Sequence, residues 1–168
     1  MSFGSDSTLL SLKDFLDAEA YGYMLHYSAP NCGYAWSESV PDTLPFAKWF
    51  GRPWDRTCFF LAKSYAVSEL HQDSYLNVFA NVVGCRRWRL AHPAHGPALG
   101  AVDGVSPVRL HCADFDAAPA ARSVRFDTVL LRPGDVLVLP PCWWHEVEVL
   151  PEEDGFAAAC NFLWLAAG

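Results

Sequence analysis

Residues 134–149 read Gly134-Asp135-Val136-Leu137-Val138-Leu139-Pro140-Pro141-Cys142-Trp143-Trp144-His145-Glu146-Val147-Glu148-Val149. Two strand-like runs, Val136–Leu139 and His145–Leu150, flank a Pro-Pro break, and the turn signal Arg132-Pro133-Gly134-Asp135 opens the first. At period two, His145, Val147 and Val149 share one face while Glu146 and Glu148 share the other, so the imidazole points to the apolar side. An inward histidine there is either satisfied within the core or a ligand.

Five further runs of the same kind lie elsewhere: Thr57–Ala62, Tyr75–Val83, Arg86–Ala91, Val124–Leu131 and Ala157–Leu165. Short strands separated by turn signals such as Val83-Gly84-Cys85 predict an antiparallel sandwich or barrel. The segment Ala91–Ala121, rich in Pro, Gly and Ala, reads as a long loop between two halves. Before the first run, Pro30, Pro41, Pro45 and Pro53 suit irregular segments and edge strands. Ser11 could cap a short helix carrying Leu12, Phe15 and Leu16 at i, i+3, i+4 spacing. Residues 1–56 are therefore expected as a short N-terminal helix and irregular flank, and residues 57–168 as the core of one structural domain.

The 168 residues are 52% hydrophobic and 18% charged, which excludes disorder and supplies a core. Seven Trp, six Tyr and eleven Phe favour packing between sheets or around a pocket over Leu-rich bundles. A formal net charge of −7 argues against a nucleic-acid grip spread over the surface, although Arg87 and Arg89 could form a local basic stripe. The most apolar stretch, Phe156–Ala167, is about half of a membrane span, and no basic segment followed by an apolar run opens the chain. We expect an intracellular protein, cytoplasmic and/or nuclear, without a membrane partner. Six cysteines are scattered without a Cys-x-x-Cys pair and read as buried free thiols.

Three constellations could carry chemistry. In His71-Gln72-Asp73, alternate residues of an extended chain bring an imidazole and a carboxylate to one face; a surface His beside an Asp is the other reading. Joined by His145, they would make the two-imidazole, one-carboxylate set of non-haem Fe(II) oxygenases. In Gly84-Cys85-Arg86-Arg87-Trp88-Arg89-Leu90, Arg86, Trp88 and Leu90 fall on one face and Arg87 and Arg89 on the other. Either all three arginines snorkel from an edge strand, or Arg86 looks inward and offers a fork to a carboxylate. Asn77, six residues past His71, shares the His71 face of an unbroken strand, or is an ordinary strand-end amide.

The segment from Ser68-Glu69-Leu70-His71-Gln72-Asp73 through Asn77 to Gly84-Cys85-Arg86-Arg87-Trp88-Arg89-Leu90 resembles the first core motif of JmjC-type, cupin-like Fe(II)/2-oxoglutarate oxygenases. Pro133-Gly134-Asp135 through Trp144-His145, followed by Cys160-Asn161-Phe162-Leu163-Trp164, resembles the second. The likeness covers residues 57–165 and is greatest to the small hydroxylase branch, which includes the asparaginyl hydroxylase of hypoxia-inducible factor and related peptidyl and RNA hydroxylases. It implies an all-β core wound as a double-stranded β-helix, a cupin-like jelly roll. It further implies that His71, Asp73 and His145 bind Fe(II), with Ser68, Asn77 and Asn161 near 2-oxoglutarate. Where the family carries a lysine for the distal carboxylate, this sequence has Arg86, which keeps the charge and adds a fork.

The activity implied is hydroxylation of a protein side chain or other macromolecule, consuming O2 and 2-oxoglutarate and releasing succinate and CO2. Trp88, Trp143 and Trp144 could supply an apolar shell around the site, or simply pack the core. A metal-binding cupin with different chemistry and a non-catalytic interaction module are the alternatives, and the intact triad counts against the second.

Overall fold

The structure, a computed structural model, describes residues 24–30, 45–151 and 155–165. The helix expected after Ser11 lies outside them. Nine strands form among the described residues: β1 Met24–Pro30, β2 Arg56–Lys63, β3 Val67–His71, β4 Tyr75–Val83, β5 Arg86–Ala91, β6 Asp127–Leu131, β7 Val136–Leu139, β8 Trp144–Val149 and β9 Phe156–Leu165. A one-turn helix, α1 (Phe46–Phe50), precedes β2 and ends at Gly51, whose φ of 69° closes it. Two sheets are built, in the orders β1-β2-β9-β4-β7 and β3-β8-β5-β6. From β2 onward the chain passes back and forth between them, except at the β5–β6 step within the smaller sheet, which is the winding of a jelly roll.

All seven expected runs are strands, and Val124–Leu131 shortens to β6 because a 3-10 turn occupies Pro119–Ser123 and Val124 N still donates to Ala121 O. β1 and β3 are additional. β1 extends the larger sheet by antiparallel pairing with β2, and its Pro30 sits at the end of an edge strand, where a missing donor costs least.

Alternation decides what each sheet buries. The inner faces enclose Phe79, Trp88, Leu90, Leu131, Leu139 and Ala159. On the outside of the larger sheet, Phe46 of α1 packs on Phe162 while Phe50 and Trp54 meet Trp164. The outside of the smaller sheet presents Leu70, Ala91 and Trp144, and residues 92–126 fold over them with Leu99, Val108, Ala118 and Ala121. The segment expected as a loop is thus a compact cap, pinned by 3-10 turns at Pro93–His95, Leu110–Cys112 and Pro119–Ser123.

Beneath this cap the charges of the smaller sheet are paired. Arg89 bridges Glu146 and Glu148 at 2.9 Å each, and Arg87 meets Glu148 at 3.1 Å. The basic stripe considered for Arg87 and Arg89 is therefore neutralised across the strand, because β5 and β8 register Arg89 against Glu146 and Arg87 against Glu148. Glu146 is fully buried and also accepts from Leu110 N at 2.8 Å, with His111 Nδ1 at 3.3 Å. Arg89→Ala leaves that carboxylate without its cation, and we expect a loss of about 3 kcal/mol in urea unfolding; Arg87→Ala, removing a part-exposed pair, should stay within about 1 kcal/mol.

Gly84 turns β4 into β5 with φ at +71°, and a Cβ there would meet Ala157 Cβ at 2.7 Å on the neighbouring β9. Both the backbone conformation and the space require glycine. Gly84→Ala is expected to cost about 2–4 kcal/mol, visible as a lower denaturation midpoint at unchanged slope.

Candidate metal centre

β8 delivers His145 inward between outward-facing Trp144 and Glu146, as period two requires. Directly opposite it on β3 stands His71, their ring centroids 4.2 Å apart. Ser68 lies opposite Val147, so the four residues 68–71 of β3 stand against the three residues 145–147 of β8, and a bulge absorbs the extra one. That bulge puts Ser68 and His71 on the same inner face despite their odd spacing. Asp73 is not on the strand with His71, as the extended reading had it; β3 ends at His71 and Asp73 sits in the crossing to β4. There Gln72 N donates to Gly104 O at 3.0 Å and Cys142 N donates to Asp73 O at 2.7 Å.

The result is a converging trio. Nε2 of His71 and Nε2 of His145 each lie 3.8 Å from Asp73 Oδ2, and one ligand atom from each of the three residues lies within 4.8 Å of the others. Each Nδ1 has a carbonyl partner: His71 donates to Glu69 O at 2.6 Å and His145 to Trp143 O at 3.0 Å. With the proton held on Nδ1, both Nε2 lone pairs face the carboxylate, the orientation a shared cation requires. Burial, with the neighbouring His71 adding to it, pushes His145 down to about 3 against the opposing Trp143 carbonyl. The imidazole is neutral throughout the physiological range, as a ligand must be. Exposure rises from 4% for the His145 side chain to 12% for His71 and 31% for Asp73, so the trio opens on the Asp73 side.

Behind the trio the barrel interior is polar at specific points. Arg86 is 2% exposed; its Nη1 donates to Asn81 Oδ1 and to Ala158 O at 3.2 Å, and its guanidinium lies 5.6 Å from the Phe79 ring. Burial lowers its pKa to about 10, so it remains a cation. Its Nη2 is buried with no partner, and so are Asn77 Oδ1 and Trp88 Nε1. Asn161 of β9 faces the same interior opposite Cys58 and Phe79, its Oδ1 accepting from Cys58 N at 3.1 Å. Asn77 reaches the interior from β4 in the other sheet, so its common face with His71 comes from two opposed sheets and not from one unbroken strand.

Asn81 was not singled out by the sequence. It follows Asn77 and Phe79 at period two on β4, and that alternation is the signal that could have found it. Of the three tryptophans considered for the shell, Trp88 stacks on His145 at 5.5 Å and 20°. Trp144 packs outward under the cap, and Trp143 is partly buried beside the inner cluster. The cysteines differ from expectation as well: among the described residues only Cys58 is buried, while Cys112 and Cys142 are exposed.

Residues 9–167 match the family model described as a cupin-like domain. The chain belongs to the cupin-like domain family. This cupin-like domain is 31% identical over 116 residues to Jumonji C domain-containing protein 5 of Drosophila melanogaster, covering 66% of this chain and 26% of that protein. It is 28% identical over 118 residues to Lysine-specific demethylase 8 of Xenopus tropicalis, covering 67% and 24%. The cupin-like domain thus spans about a quarter of the length of the curated relatives it matches. Among solved structures, the X-ray structure of YcfD from Escherichia coli superposes with a TM-score of 0.62 at 19% identity, over 96% of this chain and 38% of that one. Another structure of YcfD, described as a ribosomal oxygenase in complex with cobalt and 2-oxoglutarate, gives a TM-score of 0.49 at 21% identity over 74% of this chain and 27% of that one.

Proposed function

We propose that this cupin-like domain is an Fe(II)- and 2-oxoglutarate-dependent oxygenase that hydroxylates a protein side chain or another macromolecule. In this reading His71, Asp73 and His145 hold the iron, while Ser68, Asn77, Arg86 and Asn161 line the co-substrate pocket. The observation that carries it is a pair of unmet needs in one interior. Two imidazoles and a carboxylate converge within 4.8 Å, and behind them a buried guanidinium has an unpartnered Nη2. A cation-binding trio and an anion-seeking donor in one barrel fit a metal chelated by an acid.

Bound together, Fe(II) and 2-oxoglutarate supply O2 activation coupled to release of CO2 and succinate, with one oxygen atom entering a substrate C–H bond. The protein's own residues do the rest. The Glu69 and Trp143 carbonyls hold the two imidazoles in one tautomer and orientation. Arg86, braced by Asn81 and Ala158, orients the distal carboxylate. Phe79 and Trp88, both nearly inaccessible, keep bulk water out. The 31% exposure of Asp73 leaves one open side, from which a bulky substrate can approach.

We infer an intracellular location, cytoplasmic and/or nuclear. It is supported by the free thiols of Cys112, Cys142 and Cys160. No described helix is long and apolar enough to cross a membrane.

The test is an anaerobic titration with Fe(II) and then 2-oxoglutarate, following the metal-to-ligand charge-transfer band. The band appears only with both added if the reading holds. Metal binding without it would favour a cupin with other chemistry, and no metal binding would leave an interaction module.

A further inference from the structure

Trp88 is 2% exposed and its Nε1 is buried without a hydrogen-bond partner. Among the described residues the other two fully buried tryptophans behave differently: Trp144 Nε1 donates to Pro93 O at 3.4 Å and Trp164 Nε1 to Arg52 O at 3.1 Å. An indole N–H can only donate, and a buried donor left unpaired is rare enough to need a reason. The reason lies in where it sits. Trp88 follows Arg86 at period two on β5, so both face the interior. The guanidinium of Arg86 lies 5.6 Å from the Phe79 ring, Phe79 meets Trp88 edge-on at 4.8 Å, and Trp88 stacks on His145 at 5.5 Å. Trp88 therefore occupies the span between the carboxylate-seeking arginine and the histidine of the trio.

We propose that the Trp88 indole N–H donates a hydrogen bond directly to the bound keto acid, as a co-substrate contact between Arg86 at one end and the metal trio at the other. The proposal rests on the oxygenase reading above and adds a binding residue to it. Carboxylate and keto oxygens are acceptors, so one dicarboxylic keto acid can satisfy both orphaned donors, Arg86 Nη2 and Trp88 Nε1. A buried water bridging Trp88 Nε1 to Asn77 Oδ1 is the rival occupant, because it would satisfy a donor and an acceptor at once.

The full chain is labelled with 15N-tryptophan, loaded with diamagnetic Zn(II) and titrated with 2-oxoglutarate while its seven indole N–H resonances are followed. The Trp88 resonance should move downfield and exchange more slowly with solvent, saturating with the acid. Trp88→Phe keeps a ring against His145 and removes only the donor; 2-oxoglutarate Kd should rise about tenfold at nearly unchanged metal affinity. Loss of that peak in Trp88→Phe assigns it, and if this variant does not fold, Mn(II) broadening of the indole stacked on His145 assigns it instead. A Trp88 resonance that stays still while the wild type forms its charge-transfer band with Fe(II) overturns the contact alone. A resonance already shifted and protected before acid is added overturns it in favour of water. Absence of the band in the wild type means that the oxygenase reading has failed, and the contact with it.

Discussion

His145→Ala is expected to reduce Fe(II) affinity by more than about a hundredfold, measured anaerobically by equilibrium dialysis or calorimetry, and to remove the charge-transfer band altogether. His145 supplies one of only three ligand atoms, and it is the least exposed, at 4%, with its Nδ1 held by Trp143 O. No other described histidine or carboxylate joins His71 and Asp73 in the cluster, so no neighbour can replace it. Truncation also leaves a small void beside Trp88, which stacks on the ring, and strands the Trp143 carbonyl. These cost about 1–3 kcal/mol, which a domain of this size tolerates. The control is His111→Ala. His111 lies on the outer side of the smaller sheet against Glu146, so its loss should leave metal affinity within about twofold. Equal affinity in wild type and His145→Ala would remove His145 from the trio.

How far the sequence carried is clearest on β5 and β8. Both are regular and pair without a break, Leu90 against His145, Trp88 against Val147 and Arg86 against Val149. Period two therefore assigned every face correctly, including inward Arg86 and outward Glu146. It assigned no partners, which depend on register; the charges of Arg87 and Arg89 looked exposed until Glu146 and Glu148 were seen across the strand. β3 was illegible for a different reason. Val67-Ser68-Glu69-Leu70-His71 has no clean alternation because a bulge interrupts it, and its extended shape comes from β8. The cap over residues 92–126 has no period at all; its order comes from three 3-10 turns and from an apolar sheet face to cover. Asp73 is held by Cys142, and the adjacent Gln72 by Gly104. These partners are distant in sequence, and no local pattern announces them. The triad could be identified as a set of residue types, whereas its geometry depends on these long-range bonds.

Arg86→Met should raise 2-oxoglutarate Kd by at least about a hundredfold, the loss of a buried charge-assisted bond to a carboxylate, whereas Arg87→Met should change it less than about twofold. The two arginines are adjacent and equally charged, and only their faces differ: Arg86 is 2% exposed inside the barrel, and Arg87 points outward to Glu148. Methionine nearly keeps the length of the side chain, so the substitution removes charge more than volume. Its effect on the acid-free protein has a sign that discriminates. Burial alone depresses the Arg86 pKa, and no acidic group among the described residues offsets it; an uncompensated buried cation is a burden to the fold. Against this, Asn81 Oδ1 and Ala158 O lose a donor. The acid-free variant should therefore unfold at a urea concentration close to or above that of the wild type, while the stabilisation that added 2-oxoglutarate gives the wild type disappears. Arg86→Lys retains the charge without the fork, so one ammonium must serve both Asn81 and the acid; its Kd should fall between, about tenfold above wild type. If instead Arg86→Met lowers the acid-free midpoint and leaves Kd unchanged, Arg86 is a brace for the β4–β5 turn and the keto acid is anchored elsewhere.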